Sequence, residues 1–201
     1  MTSPQVVVFG FHILDRMVEA VEAVKDRLRR AAAALEKAGV DYAVVGGNAV
    51  AAWVTSKDKA AVRFTQDVDL LLRRSDMAAA TAALSAVGFI WNETFGVEMF
   101  LDGPTAHPRE AVHVLFAGER VKTNDAVPAP DMAEVNLRVG EGFRVVTLEA
   151  LVRMKLTSHR LKDQVHVQDM IGVGLIDQTW VAQFPPPLAA RLQKILDDPT
   201  A

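Results

Sequence analysis

The stretch Arg63-Phe64-Thr65-Gln66-Asp67-Val68-Asp69-Leu70-Leu71-Leu72 decides how this chain folds, because it ends in an apolar strand interrupted by two carboxylates. Side chains alternate along a strand, so Asp67 and Asp69 fall on one face with their Cα atoms about 7 Å apart. An uncompensated carboxylate in such surroundings is costly, and the pair suits a shared hard cation. Mg²⁺ takes oxygen ligands, keeps several waters, and is commonly held by one or two carboxylates together with substrate phosphates.

Upstream, Asp41 to Val45 is short and apolar and leads directly into Gly46-Gly47 and the alanine-rich Asn48 to Val54. This reads as strand, tight turn and helix. A glycine pair at the start of a helix lets backbone N–H groups and the positive helix end approach phosphate oxygens. Each half alone is an ordinary feature of a turn or a solvated face; together they lead to the expectation of a triphosphate and its metal at one edge of a sheet.

Farther out, apolar residues from Leu14 to Leu35 recur every three or four positions, the spacing of a helix with one buried face, and Gly39 stops it. Ser75 or Asp76 is expected to cap a helix running to Val87, with Gly88 as terminator. Strands are expected at Phe89 to Trp91, Glu98 to Leu101, Ala111 to Phe116 and Phe143 to Val146, followed by a helix opening at Thr147. The remainder, Leu148 to Leu196, is helical by composition, with breaks at Gly172, Gly174 and Pro185 to Pro187. The expected architecture is α/β (α+β), a mixed sheet flanked by helices. Residues 1–146 form its core and residues 147–201 a C-terminal helical lobe of the same domain.

The chain has 201 residues, half of them hydrophobic, which suffices for one well-buried core. Cysteine is absent, which removes disulfides and thiolate chemistry and suits a cytoplasmic location. The apolar run Val6 to Phe11 is too short to span a bilayer and lacks the flanks of a signal peptide, so no membrane partner is expected. A formal net charge of -3 offers no global attraction to nucleic acid. The five histidines show no zinc-site spacing, and neither a nucleophile elbow nor a Walker-type loop is present. The three tryptophans suit packing better than base stacking.

Tyr42-Ala43-Val44-Val45-Gly46-Gly47 followed by Arg63-Phe64-Thr65-Gln66-Asp67-Val68-Asp69-Leu70-Leu71 resembles the opening motif of the DNA-polymerase-beta-like nucleotidyltransferase superfamily, most closely its AbiEii-type toxin branch. The resemblance runs from about Val40 to Gly172. It implies a nucleotidyltransferase-type sheet, Mg²⁺ or Mn²⁺ on Asp67 and Asp69, and a nucleoside triphosphate as substrate. It further implies nucleotide contacts from Gly46, Gly47, Arg63, Thr65, Lys155, Arg160, Lys162 and Asp163, with Asp163 or Asp169 orienting Lys155. RNA or tRNA as acceptor and a cognate antitoxin follow from the same branch. An antibiotic-type small hydroxylated molecule is the alternative acceptor.

One position departs from that pattern. The superfamily's third strand carboxylate corresponds here to His113 in Val112-His113-Val114-Leu115-Phe116. A neutral imidazole, with an unperturbed pKa near 6.5, can accept a proton from an attacking hydroxyl. It can equally be a histidine satisfied within the sheet, leaving a protein that binds a nucleotide or a partner without turnover. Glu98, Glu110 and Glu119 are the nearby acids able to replace the missing carboxylate. If Lys155 to Asp169 runs as one helix, Lys155, His159, Lys162 and His166 form a single polar stripe. That stripe either meets phosphates or is a solvated face with internal ion pairs.

Overall fold

A computed structural model describes residues 11–136 and 142–198; most of the Val6 to Phe11 run lies outside them. The chain opens with helix α1 (His12–Lys37), longer at both ends than its apolar spacing requires, and closes it before Gly39 at φ +69°. Strand β1 (Tyr42–Val45) is buried throughout and passes directly into α2 (Gly46–Thr55), so the glycine pair forms the first turn of the helix instead of a separate loop. Strand β2 (Val68–Leu72) is shorter than expected: Arg63 to Asp67 form the loop that leads into it, and Asp67 lies one residue before the strand.

Helix α3 (Met77–Ser85) lacks the side-chain cap expected of Ser75 or Asp76. The Ser75 hydroxyl donates to the Asp76 carboxylate (3.0 Å), and a 3-10 turn at Arg74–Asp76 supplies the entry instead. Strands β3 (Ile90–Thr94) and β4 (Val97–Leu101) form a hairpin, and β5 (Ala111–Phe116) has the expected bounds. Two short strands follow, β6 (Val135–Asn136) and β7 (Val145–Val146). The last third comprises α4 (Leu148–Ser158), α5 (Leu161–Gly172) and α6 (Pro186–Asp197). Thr147 caps α4 by accepting from the Ala150 N–H (3.2 Å).

Among the described residues the strands form one mixed sheet in the order β3-β4-β5-β2-β1-β7-β6. Its centre sets the site. β1 runs antiparallel to β2 with Val45 opposite Asp69, and β2 runs parallel to β5 with Asp69 opposite His113. The core continues without a break from the second half of α1 through the sheet to Leu188, Leu192 and Ile195 of α6, so the C-terminal helices share the core of the sheet. No helix among the described residues is long and apolar enough to cross a membrane.

The Lys155 to Asp169 segment is not one helix. His159 takes the left-handed conformation (φ 48°) and ends α4, and α5 begins afresh after Arg160. Four hydrogen bonds hold this joint. The Ser158 hydroxyl donates to Asp163 (2.8 Å), Asp163 accepts from the Arg160 N–H (3.2 Å), and Arg191 of α6 donates to the carbonyls of Leu156 (2.6 Å) and Thr157 (2.9 Å). The expected stripe is therefore divided between two helices.

Candidate active site at the β1–α2 turn

The turn after β1 is shaped by what lies against it. Gly46 sits at φ +67°, a conformation that disfavours any side chain, and a Cβ there would collide with the Asp69 carboxylate. At Gly47 a Cβ would come within 2.6 Å of the Thr65 hydroxyl oxygen. The glycine pair thus permits close approach of the α2 N-terminus to both arms of the Arg63 to Asp69 segment. Asn48 ties the same helix to that segment by donating from Nδ2 to the Asp67 carbonyl (2.7 Å). Asn48 was not singled out from sequence; its signal is a lone amide at the head of an otherwise apolar helix.

Asp67 and Asp69 retain solvent access, with 36% and 25% of their side-chain surface exposed. Asp67 Oδ2 lies 3.4 Å from the Lys162 ammonium, an exposed pair of the weak kind. Asp69 Oδ1 lies 3.9 Å from His113 Nδ1, as the parallel register demands. Burial pushes the Asp69 carboxyl above the usual carboxylate range, and the Asp67 charge adds to the shift; His113, Lys155 and Lys162 oppose it. Two carboxylates, two lysines and one imidazole therefore act on one another electrostatically at the end of β2.

Asp163 plays a different part from these two. Only 1% of its side chain is exposed, and it accepts from Lys155 Nζ (3.2 Å), Ser158 Oγ (2.8 Å) and Arg160 Nε (2.8 Å). Burial opposes its ionisation, but Arg160, Lys155 and Ser158 together hold its carboxyl below the usual range. Lys155 is almost as buried, and desolvation lowers its pKa while Asp163 and Asp69 support its charge. Asp163 thus fixes Lys155 and Arg160 in place across the α4–α5 joint. Asp169 does the same for Arg63, whose Nε donates to Asp169 Oδ1 (2.8 Å), so Asp169 pairs with Arg63 and not with His166. His166 Nδ1 has no hydrogen-bond partner, and burial together with Lys155 lowers its pKa to about 4.

The three nearby acids are all engaged elsewhere. Glu98 and Glu119 close on the Arg74 guanidinium, which stacks 3.6 Å over the Phe116 ring, and Glu110 caps a 3-10 turn by accepting from the His107 N–H (3.3 Å). Among Trp53, Trp91 and Trp180, Trp53 donates to the Val146 carbonyl (3.1 Å) and Trp180 packs against Phe184, as suits structural residues.

Asp67 and Asp69 fit a hard divalent cation. Both side chains keep solvent access, the Lys162 partner of Asp67 is itself exposed, and Gly46 has no side chain to crowd the Asp69 carboxylate. No group of three or more acidic or histidine side chains among the described residues is arranged to hold a metal alone. The donor set therefore suits an ion whose shell is completed by water and phosphate oxygens.

Compared by sequence, the chain matches no protein-family profile and no functionally characterised relative. Compared by fold, it is similar to ANT(2'')-Ia solved in complex with adenylyl-2''-tobramycin, at 15% identity and a TM-score of 0.51 over 83% of this chain and 94% of that one. It is also similar to an antigenic nucleotidyltransferase-like protein from Paracoccidioides brasiliensis, at 16% identity and a TM-score of 0.52 over 87% and 89% of the two chains. These likenesses show a nucleotidyltransferase-type fold.

Proposed function

We propose that the chain is a metal-dependent nucleotidyltransferase that moves a nucleoside monophosphate from a nucleoside triphosphate to an acceptor hydroxyl. The observation that carries this reading is the convergence of Asp67 and Asp69 with Lys155, Arg160 and Lys162 at a turn where only glycine fits. Carboxylates alone would repel a triphosphate, and cations alone would not hold its metal. This site has both, on separate elements.

Gly46 and Gly47 expose the α2 N-terminus, whose N–H groups and positive end suit phosphate oxygens. Arg160 and Lys162, both largely exposed, meet the outer phosphates, and buried Lys155 contributes a fixed positive charge beneath them. Arg63 and Thr65 hold the loop that presents Asp67. Mg²⁺ or Mn²⁺, when bound, supplies charge neutralisation for the leaving pyrophosphate. In this reading the His113 imidazole, 3.9 Å from Asp69, would accept the proton of the attacking hydroxyl, and Asp69 would stabilise the resulting imidazolium. Catalysis is then mainly positioning and electrostatics.

The tobramycin adduct in the fold neighbour supports a small hydroxylated acceptor. The AbiEii-type resemblance supports an RNA or tRNA acceptor, a toxin-like role and a cognate antitoxin. A single experiment separates them. Purified protein with Mg²⁺ and each α-labelled triphosphate is offered total RNA in one arm and an aminoglycoside in the other. Label transfer that is lost in Asp69→Asn supports the enzyme and identifies the acceptor class. Triphosphate binding without transfer in either arm supports the second reading, favoured by His113 in place of a carboxylate: a nucleotide-binding member without turnover.

A further inference from the structure

The first half of α1 has an apolar face that the rest of the described structure leaves uncovered. Val24, Leu28, Ala31 and Leu35 belong to the core, but the same stripe continues toward the N-terminus through Val21, Val18, Met17, Leu14 and Phe11 into solvent. Leu14, Met17 and Val18 are 57%, 60% and 62% exposed. A contiguous apolar patch of this kind marks an interaction site far more often than scattered single residues do. From Phe11 to Val21 it extends about 15 Å, or about three helical turns.

Charge identifies the occupant. Asp15, Glu19, Glu22 and Asp26 follow one another at helical spacing, are all exposed, and form an acidic ridge along one flank of the stripe. Glu22 has a loose partner in Lys25 (3.3 Å) and Asp26 in Arg30 (2.7 Å), both on the same helix. A second copy docked antiparallel on this face would set acidic ridge against acidic ridge, and a parallel copy would offer four acids only Arg16 from the uncovered half of the helix, so neither orientation balances the charge. An anionic lipid surface would be repelled likewise, since interfacial helices carry lysine and arginine beside the apolar face.

We propose that this face of α1 docks an amphipathic helix of another protein, with an apolar seam against Leu14, Val18 and Val21 and lysine or arginine residues facing Asp15, Glu19 and Glu22. Helix-on-helix recognition of this type reads i, i+3, i+4 and i+7 anchors, and complementary charge fixes its register. The interaction is separate from nucleotide handling, because none of these residues lies at the β1–α2 turn.

The test uses the full chain and two synthetic helical peptides of about 18 residues, long enough for the seam. They are identical along a leucine seam and flanked by lysine in one and glutamate in the other. Fluorescence anisotropy should show saturable binding of the lysine-flanked peptide, weakened at least about tenfold in the glutamate twin and weakened again by salt. Leu14→Lys and Val18→Lys should each abolish binding, with unchanged circular dichroism and Mg²⁺-dependent triphosphate binding. Glu19→Lys combined with Asp15→Lys should reverse the preference between the peptides. Equal binding of both peptides, or no binding, overturns the proposal. So does a dimer in sedimentation that Val18→Lys dissociates, uptake by anionic vesicles, or peptide binding that appears only after residues 2–10 are removed.

Discussion

Asp69 carries its charge where burial raises its proton affinity, against the pull of His113, Lys155 and Lys162. An acid whose folded pKa lies above its unfolded value costs stability as pH rises through the folded one, and that cost is absent below the unfolded one. Asp69→Asn should therefore abolish nucleotidyl transfer while raising Tm by about 2–4 °C, corresponding to about 1 kcal/mol. The gain should be largest at high pH, shrink as pH falls toward the ordinary carboxylate value and vanish below it, as differential scanning calorimetry can record. Gly46→Ala must both strain a backbone at φ +67° and push the Asp69 carboxylate aside. Because a displacement of about 1 Å can cost about 10²-fold in rate, its kcat/KM should fall by at least about that factor. Gly46, Gly47, Asp67 and Asp69 were legible in the sequence because their chemistry is local. Asp69 sits on the expected strand and the glycines at the expected strand-to-helix turn, whereas Asp67 falls in the loop one residue before the strand, beyond the reach of a period-two reading. Asn48 was not legible, since its partner is a main-chain carbonyl nineteen positions away.

The α4–α5 joint was hidden for a related reason. Neither glycine nor proline marks His159, and the left-handed turn there is set by Asp163 and by Arg191 from a third helix. Periodicity across Lys155 to His166 suggests one stripe, whereas tertiary contacts divide it and turn Lys155 inward and Lys162 toward Asp67. Removing the acid from this buried cluster leaves Lys155 and Arg160 uncompensated. Asp163→Ala should lower unfolding free energy by about 3–5 kcal/mol, the range for breaking a buried pair, as urea denaturation would measure. The same elements give two pH windows. The folded pKa of His166 is lowered to about 4, so its contribution is complete above the unfolded value near 6.5 and is lost as pH falls toward 4. Asp163 has a lowered carboxyl pKa, so its contribution is complete above the ordinary carboxylate value and is lost only at lower pH. Thermal melts between pH 7 and pH 4 should show a shallower decline in His166→Gln than in the parent, while below that range the two should fall in parallel.

In the whole molecule, the sheet order brings together residues that lie far apart in the chain. β2 lies between β1 and β5, so Asp69 meets Gly46 on one side and His113 on the other. The C-terminal helices then add Lys155, Arg160 and Lys162 from a shared core. In the proposed function this assembly holds a metal-bound triphosphate through Asp67 and Asp69. The most direct test is calorimetric titration of a non-hydrolysable triphosphate into the parent and into Asp67→Asn/Asp69→Asn, each with and without Mg²⁺. Tight binding only in the parent with Mg²⁺ is the predicted result, and at 100 times Kd it should also stabilise the parent by about 2.7 kcal/mol. Equal affinity with and without Mg²⁺, or affinity unchanged in the double variant, would rule out Asp67 and Asp69 as the metal's ligands.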